Sequence, residues 1–355
     1  MKEIDLELYN YNLPKEKIAD RPAKPRDFSK LFVYDTLQDK IYFEIFFNLD
    51  KYLPINSFLV LNNTKVLPAR VEMLKETGGK VKVLFLVDEV INKNSKFIRG
   101  LVNKKLNLKE KIYFPNKKDF LEIISQEKNI FTFSLKTDLN NFLKLLNLYG
   151  EPPLPPYIKN APLTKKEAKE KYQTVFAKKL GSVAAPTASF HFTKRVFKKL
   201  KRKGIKYFFI TLHVGLGTFM PISEENIKKK KLHKEYWEVE TNIYKKILRL
   251  KPKKKLIAVG TTTTRLLETL ARKRLNLNNK KTLRGTTELF IFPPFKFKMI
   301  DGLITNFHLP KTSLMMLVEA FLQFKNSKKH LKELYEIAIE NDFRFYSFGD
   351  AMLII

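Results

Sequence analysis

The sequence of 355 residues contains no cysteine. This absence excludes a disulfide framework and a thiolate nucleophile, and it is typical of proteins in a reducing compartment. The chain also lacks an apolar run of about 18 residues, so no membrane-spanning helix is expected. The first residues, MKEIDLELYNYNLPKE, carry acidic side chains and no apolar stretch of signal-peptide length. We therefore expect a cytoplasmic protein without membrane contact.

Arginine is scarce in a chain that is otherwise very basic. Only 12 of the 68 Lys and Arg residues are Arg, which leaves 56 Lys, and the formal net charge is +32. A charge of this size predicts a polyanion as partner. Arg is the better phosphate ligand because its planar guanidinium binds two oxygens at once. Abundant Lys, Asn, Ile and Phe are also typical of AT-rich genomes, so we assign only part of the charge to a nucleic-acid partner.

Histidine is rare as well, with 5 residues. His191, His213, His233 and His308 lie in segments that contain Gly, Thr or Pro, whereas His330 lies in a plain Lys-rich stretch. Imidazoles suit proton transfer near neutral pH. The chain has no His-x-x-x-His pair and no Cys, so no metal site is predicted. The alternative for each histidine is a core residue with satisfied hydrogen bonds.

Two patterns divide the chain. Residues 66–148 contain short apolar runs separated by Gly and Asn turns, which predicts a small β-barrel or sandwich. From residue 205 onward, strand, polar turn and helix repeat, which predicts a largely parallel or mixed sheet with its loops at one edge. We therefore predict a discontinuous α/β main domain of residues 1–65 and 149–355, with an inserted β-barrel domain at 66–148.

Residues 172–193, YQTVFAKKLGSVAAPTASFHFT, form a low-charge island. Tyr172 and Gln173 offer a hydroxyl and an amide, and small residues lead through Thr187 to His191. Small residues let a ligand approach the backbone. The segment is therefore a candidate site, and a turn with one satisfied histidine is the alternative.

A helix is predicted over residues 193–203. Thr193 can cap it, Val196 and Leu200 belong to one apolar stripe, and Gly204 ends it. The opposite face is nearly all Lys and Arg. This face is a candidate contact for an RNA backbone, and a solvated face is the alternative.

A predicted strand at 256–260 is followed by threonines and an arginine. Thr261, Thr262 and Arg265 come at a predicted helix start, where free amides favour an anion. The threonines can cap the helix as well as bind a ligand. The alternative for Arg265 is a salt bridge to Glu268, three residues later.

A glycine-rich loop follows the strand predicted at 205–212. His213 opens it, and Gly215, Gly217 and Thr218 follow within TLHVGLGTFMP. The loop can hold a nucleoside or phosphate, but it lacks the G-x-G-x-x-G spacing, so a Rossmann fingerprint is excluded.

His233 and Glu235 lie two residues apart on a predicted strand. Alternate residues of a strand share a face, so the two form a candidate acid/base pair. An exposed salt bridge is the alternative.

Six motifs in this order resemble the S-adenosylmethionine:tRNA ribosyltransferase-isomerases of queuosine biosynthesis. The resemblance runs from YNLPKEKIADRPAKPRD near the N-terminus to the last residues. The motifs are YQTVFA, VAAPTASFHFT, TLHVGLGTFMP, AVGTTTTRLLET, DGLITNFHLPKTSLMML and RFYSFGDAMLI.

The resemblance implies a β-barrel inserted into an α/β domain. It implies transfer of the ribosyl part of S-adenosylmethionine to 7-aminomethyl-7-deazaguanine at the anticodon wobble position of tRNA. The ribose is isomerised, epoxyqueuosine-tRNA forms, and adenine and methionine leave. S-adenosylmethionine is consumed as co-substrate, so no prosthetic group is expected, and we expect a monomer.

We predict three groups of site residues. The catalytic group is His191, His213, His233 and Glu235. The group for S-adenosylmethionine is Gly215, Gly217, Thr218, Thr261, Thr262 and Arg265. The group for the tRNA substrate is Tyr172, Gln173, Thr187, Arg26, Asn306, His308, Tyr346 and Asp350.

Ser189, Thr286 and Pro294 depart from the family pattern, which has Gly, Glu and Gly at these places. Two other functions are compatible with a basic chain of this composition. One is a non-catalytic RNA-binding protein, which would give binding that weakens steeply with salt but no adenine release. The other is an S-adenosylmethionine-dependent RNA methyltransferase, which the missing glycine-rich nucleotide motif disfavours.

Overall fold

The computed structural model describes residues 4–87, 95–158, 163–215, 217, 222–278 and 280–355. No helix in these ranges is long and apolar enough to cross a membrane. The strands are β1 Lys30–Asp35, β2 Lys40–Ile45, β3 Ser57–Asn62, β4 Thr64–Val66, β5 Arg70–Lys75, β6 Lys80–Phe85, β7 Phe97–Val102, β8 Lys111–Tyr113, β9 Phe120–Glu127, β10 Ile130–Leu135, β11 Lys179–Ser182, β12 Lys206–Leu212, β13 Lys231–Glu240, β14 Lys255–Val259, β15 Thr282–Leu289, β16 Gly302–Asn306 and β17 Ala351–Ile354.

The α-helices in these ranges are short, and six 3-10 turns accompany them. The helices are α1 Leu49–Tyr52, α2 Leu139–Tyr149, α3 Lys165–Lys171, α4 Lys194–Arg202, α5 Glu224–Lys229, α6 Thr241–Leu250, α7 Thr261–Leu270, α8 Ser313–Phe324 and α9 Leu331–Glu340. The 3-10 turns are Glu7–Tyr9, Lys15–Lys17, Arg26–Phe28, Phe46–Asn48, Pro156–Ile158 and Thr187–Ser189.

The larger sheet has nine strands in the order β15-β13-β12-β3-β14-β16-β17-β1-β2. Its centre, β12-β3-β14-β16, is parallel, and antiparallel pairs flank it on both sides. Strands β3 and β16 are buried along their whole length. Such strands read as nearly continuous apolar runs because helices and loops cover both faces. The predicted α/β main domain with a mixed sheet is confirmed.

The four parallel central strands all end at one edge of the sheet. Their last residues are Leu212, Asn62, Val259 and Asn306. In an open α/β sheet, ligands bind outside the carboxyl ends of the strands. The turns that follow these strands therefore lie where a site is expected.

The smaller sheet is a closed barrel in the order β10-β7-β6-β5-β8-β9. Side chains alternate along its strands, so that Val71, Met73, Val81 and Val83 are all buried inside it. The predicted inserted β-barrel is confirmed. The exact division at residues 65/66 and 148/149 stays a prediction.

Two barrel strands and one helix were not predicted. Strand β5 reads RVEMLK and β9 reads FLEIISQE, so polar residues interrupt their apolar pattern. Helix α2 follows the last barrel strand, starts at the N-cap Asp138 and buries Phe142 and Leu146. Burial of that one face stabilises a helix in a stretch whose composition predicted few helices.

The buried carboxylate of Glu268 fixes helix α7 to the chain before β16. It pairs with Arg272 at 2.5 Å and accepts from the amide of Met299 at 2.8 Å. It also accepts from the amide of Lys298 at 2.9 Å. Because the group is fully buried, the loss of its charge leaves several donors without a partner.

Substitution Glu268→Ala should lower the free energy of unfolding by about 3 kcal/mol, because a buried ion pair and its backbone bonds are broken. Urea-induced unfolding measures the change. The matched control is Glu288→Ala, since the side chain of Glu288 is 40% exposed and faces Lys231 at 3.5 Å. Exposed pairs contribute under about 1 kcal/mol. Equal losses in both variants would contradict an anchoring role for Glu268.

Candidate active site

Helix α7 begins at the carboxyl end of β14, and its first turn is open. Gly260 precedes it with a φ of 89°, and no side chain caps the helix start. The first amides of a helix have no intrahelical partner, so this end favours an anion. The hydroxyls of Thr263 and Thr264 bond to backbone carbonyls one turn earlier, at 2.6 and 3.2 Å. Among the described contacts, Thr261 and Thr262 do not bond to the backbone in this way, and the Thr262 hydroxyl lies 3.3 Å from Asn62 Nδ2.

His213 follows β12 and lies in a narrow slot. Its Nδ1 is 2.9 Å from the Thr64 hydroxyl. Gly181, with a φ of 143°, packs against the ring, since a Cβ there would lie 2.8 Å from Nδ1. Burial lowers the pKa of His213 to about 4. The imidazole is therefore neutral near pH 7 and fixed in orientation.

His191 lies near the end of β16. The Ser29 hydroxyl is 2.7 Å from its Nδ1, and Asn306 Nδ2 donates to its Nε2 at 3.4 Å. Burial, with the nearby charges of Arg344 and Arg26, lowers the pKa of His191 to about 3. This imidazole is also neutral near pH 7.

Contacts around Asn306 bring His191 towards the open start of α7. Asn306 Oδ1 accepts from the Thr187 hydroxyl at 2.9 Å. Ala188, the next residue, lies against Gly260, where a Cβ would be 3.7 Å from the Ala188 Cβ. The predicted residues Thr187, His191 and Asn306 thus lie in one hydrogen-bonded group beside the helix start.

On the other side of α7, a buried ion pair faces a cavity. Arg265 Nη1 donates to Glu235 Oε2 at 2.6 Å, and the Gly215 amide donates to Glu235 Oε1 at 3.3 Å. Arg265 Nη2 is buried and has no partner among the described residues. Arg265 and Glu235 both line the cavity, together with Gly217, Ile222, Asn226, Leu232, His233, Leu309, Thr312, Ser313 and Leu314.

Two predicted pairings differ from the observed ones. The ion pair considered for Arg265 with Glu268 is not formed, because Arg265 binds Glu235 and Glu268 binds Arg272. His233 is an exposed neighbour of Glu235 on β13, and no hydrogen bond joins the two in the described contacts. The register of β13 shifts between Lys231 and Glu235, which breaks the simple alternation on which the acid/base pair was predicted.

The polar groups of two predicted substrate residues form hydrogen bonds with the protein backbone. Arg26 donates to the carbonyls of Gln173 at 2.5 Å and Lys171 at 2.9 Å, at the end of α3. The Gln173 amide exchanges two hydrogen bonds with the backbone of Val66, at 2.8 and 3.1 Å. These contacts hold α3 and β4 in place, and the predicted substrate roles stay predictions.

Asp350, another predicted substrate residue, also forms its hydrogen bonds within the protein. It accepts from the amides of Arg344 at 2.7 Å and Lys30 at 3.0 Å, and it pairs with the Arg344 guanidinium at 3.0 Å. Asp350 therefore fixes the C-terminal turn, which carries Tyr346. Tyr346 has a φ of 68°, and its ring packs at a tilt against Tyr157, with the ring centroids 4.7 Å apart.

His308 is buried away from the cavity lining. Its Nε2 is 2.8 Å from the Thr305 hydroxyl, and its amide hydrogen-bonds the Tyr335 hydroxyl at 2.9 Å. Burial lowers the pKa of His308 to about 3. Tyr172 is buried in an aromatic group with Phe190. His308 and Tyr172 are therefore buried residues next to the site and do not line its cavity.

Some predicted features lie elsewhere or outside the described residues. Thr218 lies outside them. Phe190 and Phe192, on either side of His191, and Trp237 are buried in packed core. Within the described ranges, no group of three or more His, Cys, Asp or Glu could hold a metal ion.

Two positions that depart from the family pattern show different surroundings. Ser189 is fully buried, and its hydroxyl has no partner in the part of the chain that the structure describes. Thr286 pairs with Tyr236 in the sheet, and its carbonyl accepts from Lys273 at 2.8 Å.

Sequence reasoning missed Ser29 as part of the site. Ser29 binds His191 over a separation of 162 residues, and no local signal marks it. Gly181 lies in the candidate segment 172–193, but its role was not predicted, because it shapes the slot of His213 through its missing side chain.

Comparison with known proteins gives a consistent result. A family model described as "Queuosine biosynthesis protein" matches residues 6–354. Proteins named S-adenosylmethionine:tRNA ribosyltransferase-isomerase from Thermosipho melanesiensis and Halothermothrix orenii are 42% and 43% identical. These matches cover 98% and 99% of this chain, and 98% and 100% of those proteins.

A solved structure is similar as well. It is the crystal structure of S-adenosylmethionine tRNA ribosyltransferase from Thermotoga maritima, which is 28% identical. The TM-score is 0.53, and the match covers 98% of this chain and 99% of that chain. The similarity therefore includes both the sheet and the barrel.

The three buried histidines should make the protein less stable as the pH falls. Their folded pKa lies below the ordinary value of 6.5, so the unfolded chain binds more protons between pH 6.5 and about 4. Each such group lowers the free energy of unfolding by up to about 1.4 kcal/mol per pH unit in that window. Above pH 6.5, the contribution of these histidines to the free energy of unfolding is complete. His308→Gln should flatten this pH dependence in urea unfolding.

The control for this measurement is His330→Gln. The pKa of His330 is raised by its hydrogen bond to Glu319, so its contribution is present at low pH and is lost as the pH rises. This variant should not flatten the acid slope. If His308→Gln and His330→Gln gave the same slope as the parent protein, His308 would not be neutral in the folded state.

Proposed function

The chain belongs to the queuosine biosynthesis protein family, and from this membership we propose that it is an S-adenosylmethionine:tRNA ribosyltransferase-isomerase. The resemblance predicted from the motifs is thereby confirmed. The proposed substrate is 7-aminomethyl-7-deazaguanine at the anticodon wobble position. The proposed products are epoxyqueuosine-tRNA, adenine and methionine. The observation that supports the proposal is that two neutral imidazoles lie at the carboxyl edge of the sheet, His213 after β12 and His191 against Asn306 at the end of β16.

The reaction needs a base that takes a proton from the carbon beside the sulfonium. An imidazole is a base only in its neutral form, and burial keeps His191 and His213 neutral. Asn306 donates to Nε2 of His191, so this nitrogen is the acceptor and the proton lies on Nδ1. The Thr64 hydroxyl donates to the Lys179 carbonyl at 3.5 Å, which leaves it free to accept from Nδ1 of His213.

The same groups can serve the second proton transfer. Departing adenine must be protonated, and an imidazole that has taken up a proton can return it to a leaving group. With two imidazoles at the same edge of the sheet, the site offers a base and an acid in turn. We assign these two roles to the pair His191 and His213.

Arg265 is suited to the methionine part of the donor. A carboxylate binds well to a guanidinium, and the unpartnered Nη2 of Arg265 leaves one donor unused. Glu235 lies beside it and can accept from an ammonium group. The α-amino acid end of S-adenosylmethionine carries both charges. We place this end in the cavity lined by Gly217 and His233.

The first experiment incubates the protein with S-adenosylmethionine and tRNA that carries 7-aminomethyl-7-deazaguanine. Mass spectrometry should detect equal release of adenine and methionine, with a tRNA mass gain that matches the epoxycyclopentane group. Release of S-adenosylhomocysteine would instead identify a methyltransferase. Binding of tRNA with no breakdown of the donor would identify an RNA-binding protein.

His191→Ala and His213→Ala should each reduce turnover by about 10²- to 10⁴-fold, the usual size of a lost general acid or base. Circular dichroism checks that both variants remain folded. The control is His330→Ala, because this side chain is 76% exposed and pairs with Glu319. Near-normal turnover in both folded variants would exclude the assigned roles.

Arg265→Lys should raise the KM for S-adenosylmethionine about tenfold, since a charge-assisted hydrogen bond contributes about 1.5–3 kcal/mol. Lysine keeps the ion pair with Glu235 but has no second nitrogen for a carboxylate. The KM for tRNA should not change. Arg284→Lys is the control, because Arg284 is exposed and pairs with Glu238. An unchanged KM for the donor in Arg265→Lys would place the carboxylate elsewhere.

A further inference from the structure

An aromatic–basic patch, defined here as Phe28, Phe47, Arg195 and Lys199, lies on the surface beside His191. The Arg195 guanidinium lies 5.5 Å from the Phe28 ring centroid and 5.2 Å from that of Phe47. Lys199 Nζ lies 4.3 Å from the Phe47 centroid. Phe28 is nevertheless 50% exposed, so its ring is available for contact.

The patch is held rigidly. The fully buried Asp27 accepts from Arg195 Nη2 at 2.5 Å and Nε at 3.1 Å, and from the Thr193 hydroxyl at 2.6 Å. No hydrogen bond of Arg195 Nη1 is found within the described residues. The side chain of Arg195 is 52% exposed. A fixed guanidinium with one edge open is a preorganised phosphate ligand.

Helix α4 continues the positive charge away from the patch. Lys194, Lys198, Lys201 and Arg202 are exposed along it. None of the four forms an ion pair with the residues that the structure describes. The inner face of α4 is closed against the core by Val196 and Leu200. The outer face of α4 therefore combines unpaired positive charges with neighbouring aromatic rings. On an ordinary surface, lysines are scattered and many are paired.

The patch is connected to the candidate active site residue by residue. Ser29 Oγ is 2.7 Å from His191, and Phe28 is the preceding residue. Phe46 packs on His191 with ring centroids 5.1 Å apart, and Phe47 is the following residue. Neighbouring Cα atoms are about 3.8 Å apart. In both segments, one residue touches the histidine and its neighbour belongs to the patch.

We infer that this patch binds single-stranded RNA, with a base stacked on Phe28 and its phosphates on Arg195 and the α4 lysines. Stacking on an aromatic ring needs an unpaired base, because a paired base has both faces covered in the helix. The inference rests on the proposed function, and it identifies the bound segment as nucleotides next to the modified base. Arg195 then contributes affinity, and Phe28 distinguishes loop from duplex.

The test compares Phe28→Ala with Phe97→Ala. Phe97 lies on barrel strand β7 and is 51% exposed, so both changes remove the same ring from equally open positions. The probes are a fluorescein-labelled stem–loop RNA with an unpaired loop and a duplex RNA of the same length. Phe28→Ala should weaken stem–loop binding about tenfold, the ratio given by about 1.4 kcal/mol of lost stacking. Duplex binding should not change.

Two results would overturn the inference. One is equal stem–loop affinity for Phe28→Ala and Phe97→Ala. The other is an equal loss of stem–loop and duplex binding in Phe28→Ala, which would mean that the ring acts only through the basic surface. Lys198→Gln serves as a charge control, and it should weaken both probes alike and reduce the salt dependence.

Failure of this inference is distinguishable from failure of the proposed function. Turnover of S-adenosylmethionine with tRNA by the parent protein tests the function alone. If turnover occurs and Phe28→Ala leaves the KM for tRNA unchanged, the function stands and the patch is excluded. If no donor is consumed, stem–loop binding still tests the patch, and a Phe28-specific loss would support it.

Discussion

The site depends on one buried side-chain amide at the edge of the sheet. Asn62 Nδ2 donates to the Leu212 carbonyl at 2.9 Å, and Oδ1 accepts from the Leu212 amide at 3.2 Å. Oδ1 also accepts from the Thr64 amide at 3.1 Å, and Nδ2 is 3.3 Å from the Thr262 hydroxyl. The amide therefore joins the ends of two parallel strands just before His213, and it connects them with the open start of α7. Without it, the strand ends would have unpaired polar groups in a dry interior.

Burial determines the chemistry that this edge can perform. An imidazole held in low dielectric is costly to charge, so His191 and His213 are neutral, which is the form that the proposed proton acceptor requires. As a consequence, the free energy of unfolding falls as the pH is lowered. Arg265 and Glu235 are instead buried in their charged forms. Two buried charges are tolerated when they pair with one another. The sheet edge thus carries buried neutral imidazoles, and the cavity carries a buried ion pair.

Much of this could be predicted from the sequence, since strand, polar turn and helix recur from residue 205 and short alternating runs mark the barrel. The turn residues Thr261 and Asn306 lie at the predicted edge for that reason. The pairing of Glu235 with Arg265 could not be predicted, because it depends on how β13 packs against α7 and on a register shift in β13. Local spacing favoured His233 and Glu268 as partners instead. Arg26 and Gln173 show the same limit, since their backbone partners lie in segments that only the fold brings together.

The segments around Ser29 and Phe46 show how an interior site can be coupled to a surface. In each of them the residue that touches His191 is followed or preceded by an aromatic residue of the patch. A nucleotide stacked on Phe28, as proposed above, would contact the residue next to the one that holds the imidazole through Ser29. Asp27 strengthens this connection, because it binds Thr193 and Arg195 on the chain that carries His191. One short stretch of chain, residues 27–29, packed on the start of α4, therefore links the proposed RNA-binding patch to the orientation of His191.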